Sequence, residues 1–205
     1  MIYPVLGNEV NIKFSLMDLT RLYIPPETPP MVMNNFLGEY VERFRGEYGG
    51  IPYGGFLEKR IIYHSSNHFG SEERRDVHLG IDLWVDPYTP IFAAKDGHVH
   101  SVAYNAAELD YGWCLIVQYE NDEFVLYGHM ASDKLQNYVE EDQITAGQIL
   151  GFTGDYAENG GWYPHLHLQV MKTMLDYKGD FPGVARESDI PFYTTIINDP
   201  SYLIK

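Results

Sequence analysis

From residue 60 to residue 171 the chain is a succession of short apolar stretches: "RIIYH", "GIDLWV", "IFAA", "HVHSVAY", "WCLIVQY", "EFVLYGHM", "QILGFT" and "HLHLQVM". They are rich in β-branched and aromatic side chains, and each is too short for an independent helix. Turn chemistry separates them, as in "DPYTP", "KDG", "ENDE" and "GDYAENGGWYP". Strands of this length at this spacing predict a mainly β fold with a sandwich or barrel-like core. The 17 tyrosines suit such a fold, because an aromatic ring packs well on a half-buried pleated surface.

Residues 1–60 read differently. "VNIKF" and "TRLYI" have the form of short strands, and "PPETPPM" that of a stiff connector. After it, "NNFLGEYVERFRGEYGG" places Phe36, Leu37, Tyr40, Val41 and Phe44 on one helical stripe. Asn34 or Asn35 offers an N-cap, and Gly49-Gly50 a stop. The expected organisation is an N-terminal appendage over 1–60 with one amphipathic helix, then a β domain over 61–205 with an irregular C-terminal tail. A chain of 205 residues can bury one substantial core with such an appendage.

The balance of 14 Lys+Arg against 29 Asp+Glu leaves a formal charge of −15. A surface of that sign repels phosphate backbones and anionic lipid, which argues against a nucleic-acid partner. No stretch approaches the roughly 18 consecutive apolar residues of a membrane span, so no membrane insertion is expected. "MIYPVLGNEV" lacks the basic start, apolar run and cleavage site of a signal peptide. The chain as written is therefore expected in the cytoplasm, and a chain shortened at its start would be an exported or periplasmic protein. The single cysteine, Cys114 in "WCLIVQY", excludes an intrachain disulfide and reads as a small core residue.

Chemistry concentrates in the histidines. In "PHLHLQV", His165 and His167 fall on one side of a strand with Gln169, while Leu166, Leu168 and Val170 fall on the other. Such a pair fits a metal site, a proton-transfer site, or the wet side of a sheet. "HLGID" supplies an imidazole and a carboxylate, His78 and Asp82, both good ligands for Zn²⁺. Gly80 between them lets the backbone bend or pass close to a ligand. In "YGHM", His129 ends a strand beside a glycine, where it can face a cleft or simply occupy a turn. His98 and His100, in "HVH" after the turn "KDG", read as solvent-face strand residues. His64 and His68 would be spaced as ligands only on a helix, and the intervening Ser-Ser-Asn argues for a loop.

Taken in order, "HLGID", "TPIFAAKDGHVHSV", "YGHM", "GQILGFTGD" and "PHLHLQV" resemble the lysostaphin-type zinc endopeptidases. These are the LytM-like family that cuts peptide cross-bridges in bacterial cell walls. The resemblance covers residues 75–171. It implies a twisted antiparallel β core with the site in a groove along it, and one Zn²⁺ per chain. It also implies that His78, Asp82 and His167 are the zinc ligands and that His129 and His165 are the catalytic histidines. The partner it implies is a peptide or a peptidoglycan-derived substrate.

The chemistry of that set is coherent. Three protein ligands leave a fourth tetrahedral position for water, as in a catalytic rather than a structural zinc site. Zinc lowers the pKa of such a water from 15.7 towards about 7, and two further histidines can share the general-base and oxyanion roles. Two other readings use the same residues. A catalytically inactive, wall-binding or regulatory module would keep the fold without turnover. A non-haem Fe(II) oxygenase would use two histidines and a carboxylate as a facial triad, although the extra histidines favour hydrolysis. Three departures from the family stand out, the first being that its members usually work outside the cytoplasm whereas this sequence shows no export signal. The loop "GDYAENGGWYPHLH" carries Trp162 and Tyr163 in place of small residues, which narrows or floors the groove. "GDFPGVA" and "INDPSYLI" are similar to the tail of peptidase-like modules fused between a kinase-like domain and an aminotransferase, which points to a soluble substrate outside the wall.

Overall fold

The computed structural model describes residues 2–8, 12–25, 27–65 and 74–204. The chain enters with β1 (Phe14–Met17), α1 (Pro30–Tyr48) and β2 (Ile51–Gly54). Next come β3 (Val77–His78), β4 (Ile81–Leu83), β5 (Pro90–Phe92), β6 (Gly97–Asn105), β7 (Gly112–Tyr119) and β8 (Glu123–Met130). A short α2 (Ser132–Leu135) leads to β9 (Gln143–Ile144), β10 (Ile149–Phe152) and β11 (Leu166–Met171). The C-terminal stretch holds β12 (Val184–Ala185), α3 (Ile190–Ile196) and β13 (Ile197–Asn198). The fold is mainly β, as expected from the strand-length segments.

Among the described residues one large sheet runs β1-β2-β4-β11-β8-β7-β6-β9, with β13 added to β11. Every pairing along it is antiparallel except β1 with β2, so the sheet is mixed. The second layer anticipated for a sandwich is small. The β5–β10 pair and α2 cover one face, placing Ile91, Leu150 and Leu135 against Leu115, Val117, Val125, Tyr127, Leu166, Leu168 and Val170. Alternation on β11 sends those three apolar side chains into this core, each worth roughly 1.5–3 kcal/mol of burial. The opposite face of β11 is thereby left to His167 and Gln169.

That opposite face is flanked by two smaller apolar clusters. One, under α1, contains Leu19, Met33, Leu37, Val41, Trp84 and Trp162. The other contains Leu79, Tyr111, Cys114, Leu126 and Phe181. The histidines lie along the seam between them.

Several local expectations change. The helix starts at Pro30, directly after Pro29, and not at Asn34 or Asn35. Proline at the first helical position needs no N–H partner and arrives with a helical φ, so it outcompetes an asparagine cap further on. The buried face is Met33, Asn34, Leu37, Gly38 and Val41, and Phe36 is exposed. Gly49 ends the helix with φ 66°. "RIIYH" is not a strand: residues 61–65 form a 3₁₀ turn. The tail, read as irregular, contributes β12 to β3 and β13 to β11. Finally, β1 and β2 belong to the large sheet, so the N-terminal residues share its hydrogen bonding. No helix among the described residues is long and apolar enough to cross a membrane.

Candidate metal centre

Register brings the donor residues together. On β11, His167 stands directly opposite Asp82 of β4 on one side and Gly128 of β8 on the other. His78 enters from β3, held by hydrogen bonds from its own N–H to Glu58 O and from Leu57 N–H to its carbonyl. His78, Asp82 and His167 are all buried, and their donor atoms lie within 4.8 Å of one another. His78 Nε2 is 3.0 Å from His167 Nδ1 and 3.3 Å from Asp82 Oδ1, and His167 Nδ1 is 3.1 Å from that same oxygen.

The remaining hydrogen bonds decide which ring nitrogens carry lone pairs. His78 Nδ1 faces the carbonyl of Gly55 at 3.3 Å, and a carbonyl can only accept, so Nδ1 carries the proton. Gln169 donates its Nε2 to Pro182 O at 3.1 Å, which turns its Oε1 towards His167 Nε2 at 3.0 Å. His167 is therefore protonated at Nε2. Two nitrogen lone pairs and a carboxylate oxygen then converge with no hydrogen assigned among them, an arrangement that calls for a cation. Tetrahedral bonds of 2.0–2.1 Å would space zinc ligands about 3.3 Å apart, close to the observed separations. The residues fit a zinc ion.

Asp82 has a second anchor that its sequence surroundings did not reveal. Its Oδ2 accepts from Arg60 Nη1 at 2.5 Å, leaving Oδ1 for the centre. Arg60 also donates through Nε to Glu58 at 2.6 Å and through Nη1 to Tyr63 at 3.0 Å. Burial alone would raise the Asp82 pKa, but the neighbouring imidazoles and Arg60 hold the carboxyl well below its usual range. Burial, reinforced by Arg60, pushes His78 down to about 3, so it is neutral and ready to ligate.

His129 and His165 sit beside this trio, with ring centroids 4.3 Å apart. His129 donates Nδ1–H to Asn159 O at 2.8 Å, and His165 donates Nδ1–H to Tyr163 O at 2.7 Å. Both Nε2 atoms are thus lone-pair atoms, and that of His165 stands 3.7 Å from Asp82 Oδ1. Burial first, and neighbouring imidazoles second for His129, lower both pKa values, keeping the pair neutral at pH 7. His129 reaches the site by a backbone irregularity. Its φ of 63° breaks the alternation of β8, so Met130 takes the core position that parity would assign to residue 129. Trp84 stacks on His165 at 6.1 Å, and Trp162 meets both rings edge-on at 6.3 Å.

The other histidines stay apart. His98 and His100 are half-buried on β6 and engage Glu141 and Ser101. His68 lies outside the described residues, as does the side chain of His64. The sequence places Gln169 on the histidine face without assigning it a role, and it gives no role to Arg60. Parity on β11 points to Gln169, but nothing local singles out Arg60, 22 residues from its partner. A groove of about 290 Å³ opens over the donors, with Trp162 on one wall and Phe181 and Pro182 on another. Leu19, Leu37 and Ile62, from the N-terminal 62 residues, help line it.

Gly80 has a more specific task than flexibility. A Cβ there would lie 2.5 Å from Leu168 O and 2.8 Å from His167 Nε2. Gly80→Ala is expected to push His167 off Gln169, costing about 1–3 kcal/mol of stability and at least about tenfold in zinc affinity. Chelator competition and thermal melting measure the two effects.

A buried two-histidine, one-carboxylate group that could hold a metal ion thus stands with two more neutral histidines at its rim and a groove above it. Residues 76–179 match the family model described as Peptidase family M23, and the chain belongs to that family. No curated protein sequence matches the chain significantly. Among solved structures, the catalytic domain of the antimicrobial peptidase lysostaphin from Staphylococcus simulans is similar at 22% identity and a TM-score of 0.41, over 62% of this chain and 86% of that one. A catalytic-domain variant of the prophage-encoded M23 protein EnpA from Enterococcus faecalis gives 28% identity and a TM-score of 0.42, over 52% and 77%. A zinc containing peptidase from Vibrio cholerae gives 22% identity and a TM-score of 0.40, over 47% of this chain and only 28% of that one.

Proposed function

We propose that the protein is a zinc-dependent metallopeptidase that hydrolyses a peptide bond, in peptidoglycan cross-links or in a soluble peptide. The observation that carries this reading is the convergence of His78 Nε2, Asp82 Oδ1 and His167 Nδ1 beside two neutral histidines whose lone pairs are free. A zinc ion held by the three donors would supply Lewis-acid polarisation of the scissile carbonyl and acidification of a water molecule.

The chain's own residues supply the rest. Asp82, with Arg60 on its second oxygen, keeps one oxygen aimed at the centre. Gln169 and the Gly55 carbonyl fix the tautomers of the two ligand imidazoles. His165 or His129 accepts a proton at Nε2 from the attacking water, and the imidazolium so formed returns it to the leaving amine nitrogen. While it holds that proton, the imidazolium donates its Nε2–H to the oxyanion that develops on the carbonyl, and the neutral partner ring packs beside it. Burial by Trp84 and Trp162 keeps both rings neutral at the start, so activity falls when the pair is protonated in acid.

His165→Ala is the test. It should hold as much zinc as the parent and lose about 10²–10⁴-fold in turnover. Assays on Gly-Gly, D-Ala-containing and γ-linked peptides, alongside muropeptides, then identify the bond. Zinc-loaded parent protein that cleaves none of them would sink the peptidase reading.

A further inference from the structure

Asn34, Gly38 and Glu42 recur every fourth residue along α1 and so share one face. All three touch the segment 159–163. Asn34 is buried in the second turn, where its Oδ1 accepts the N–H of Tyr163 at 2.6 Å. Its Nδ2 donates to Gly161 O and, at 3.0 Å, to Pro30 O. At Gly38 a Cβ would lie 2.6 Å from the Tyr163 ring, so only glycine admits that ring against the helix. Glu42 accepts the Tyr163 hydroxyl at 2.7 Å. Glycine and asparagine are both poor residues inside a helix, and here both are spent on one loop.

The clamped loop is the one whose carbonyls orient the two non-ligand histidines. Asn159 O receives His129 Nδ1–H, and Tyr163 O receives His165 Nδ1–H. The segment between is stiff. Asn159 Oδ1 accepts from the N–H groups of Gly161 and Trp162 at 3.1 and 2.9 Å, and its Nδ2 donates to Trp162 O at 2.9 Å. One turn beyond Glu42, Arg45 donates to the Trp84 carbonyl at 3.1 Å, steadying the residue whose ring stacks on His165.

We infer that α1 is a positioning element for the His129–His165 pair, with Asn34 as its principal contact: the helix sets the loop, and the loop's carbonyls set both imidazoles. The inference rests on the reading of that pair as the acid–base residues. Asn34 touches no reacting atom, and its bonds go to Tyr163, Gly161 and Pro30, not to His78, Asp82 or His167.

The experiment compares zinc-loaded parent with Asn34→Ala and Tyr163→Phe. Asn34→Ala should keep the parent's zinc content while kcat falls roughly 10- to 100-fold, the scale of a small misplacement of reacting groups. KM should move by less than about threefold, because Asn34 itself does not line the groove. In ¹H–¹⁵N spectra of the imidazoles, the Nδ1–H signals of His129 and His165 should broaden or shift, while the Nδ1–H signal of His78 and the Nε2–H signal of His167 stay in place. Tyr163→Phe, which deletes only a hydroxyl, should show the same pattern with a smaller fall of about two- to fivefold. Unchanged kcat with intact Nδ1–H signals in both variants would overturn the inference, as would a loss of kcat that merely tracks zinc loss. If Asn34→Ala fails to fold, Tyr163→Phe decides by the same readouts. If the parent cleaves no peptide, the peptidase reading fails, and the imidazole spectra still decide whether α1 sets the two rings.

Discussion

His167→Ala is expected to yield a folded protein without zinc and without activity. The residue stands at the crossing of two strand pairings, opposite Asp82 and Gly128, and supplies one of three donor atoms. Its removal leaves a two-donor remnant that cannot complete a tetrahedral site. Lewis-acid stabilisation worth several kcal/mol disappears with the metal. At tenfold per 1.36 kcal/mol, that corresponds to a loss on the order of 10³-fold or more. The fold should survive, because Leu166, Leu168 and Val170 keep β11 anchored in the main core from its other face. The contrast with His165→Ala makes the result decisive: the first variant loses metal and activity together, the second activity alone. Elemental analysis and peptide turnover on the two proteins read this directly. Zinc retained at parental affinity in His167→Ala would mean that the donor set is wrongly assigned.

The second large effect is expected at Arg60. Its guanidinium is the counter-charge to both Asp82 and Glu58, and all three side chains are less than 10% exposed. Arg60→Met keeps length and apolar bulk but leaves two buried carboxylates without their cation. Breaking a buried pair this way costs about 3–5 kcal/mol, which for a domain of this size lowers the melting midpoint by roughly 6–20 °C. Two further measurements separate charge from packing. Adding Glu58→Gln should recover part of the loss, since one unpaired charge is removed. Adding zinc should also recover part, because a bound cation again faces Asp82. The pH dependence has a definite sign. In the parent, Asp82 is held well below its ordinary value of 3.8, so its contribution is present above that pH and fades only as pH falls further. In Arg60→Met the carboxyl is buried without its cation and its pKa rises. The difference between the two proteins should therefore be largest at neutral pH and shrink on acidification towards pH 4. A constant difference across that range would show that Arg60 acts through packing alone.

Much of the molecule was legible residue by residue. Alternation in "HLHLQV" separated the core-facing leucines from His167 and Gln169, and that separation is what β11 displays. The segments "WCLIVQY" and "EFVLYGHM" are strands because β-branched and aromatic residues favour a pleated, half-buried surface. The helix after "PPETPPM" was legible too, but its start and its buried face were not. Pro30 sets the first, and the second depends on what lies beneath the helix. "RIIYH" has strand composition yet forms a 3₁₀ turn, because burial of Ile62 and Tyr63 under α1 outweighs a weak local preference. His129 reads as a strand-end residue, whereas its orientation depends on a left-handed φ that no local pattern announces.

The sequence by itself determined the chemistry on offer: a mainly β chain of the M23 family, with imidazoles and a carboxylate that could hold a metal ion spaced along it. Those properties depend on residue identity and on periods of two or a few residues. Only the tertiary structure decided which atoms face one another. His167 meets Asp82 across 85 residues of chain, and Asn34 meets Tyr163 across 129. The tautomers are likewise set by carbonyls of Gly55, Asn159 and Tyr163, whose residue types carry no signal for that role. Pairwise geometry at such separations is fixed by strand register and by the packing of α1, and composition has no term for either.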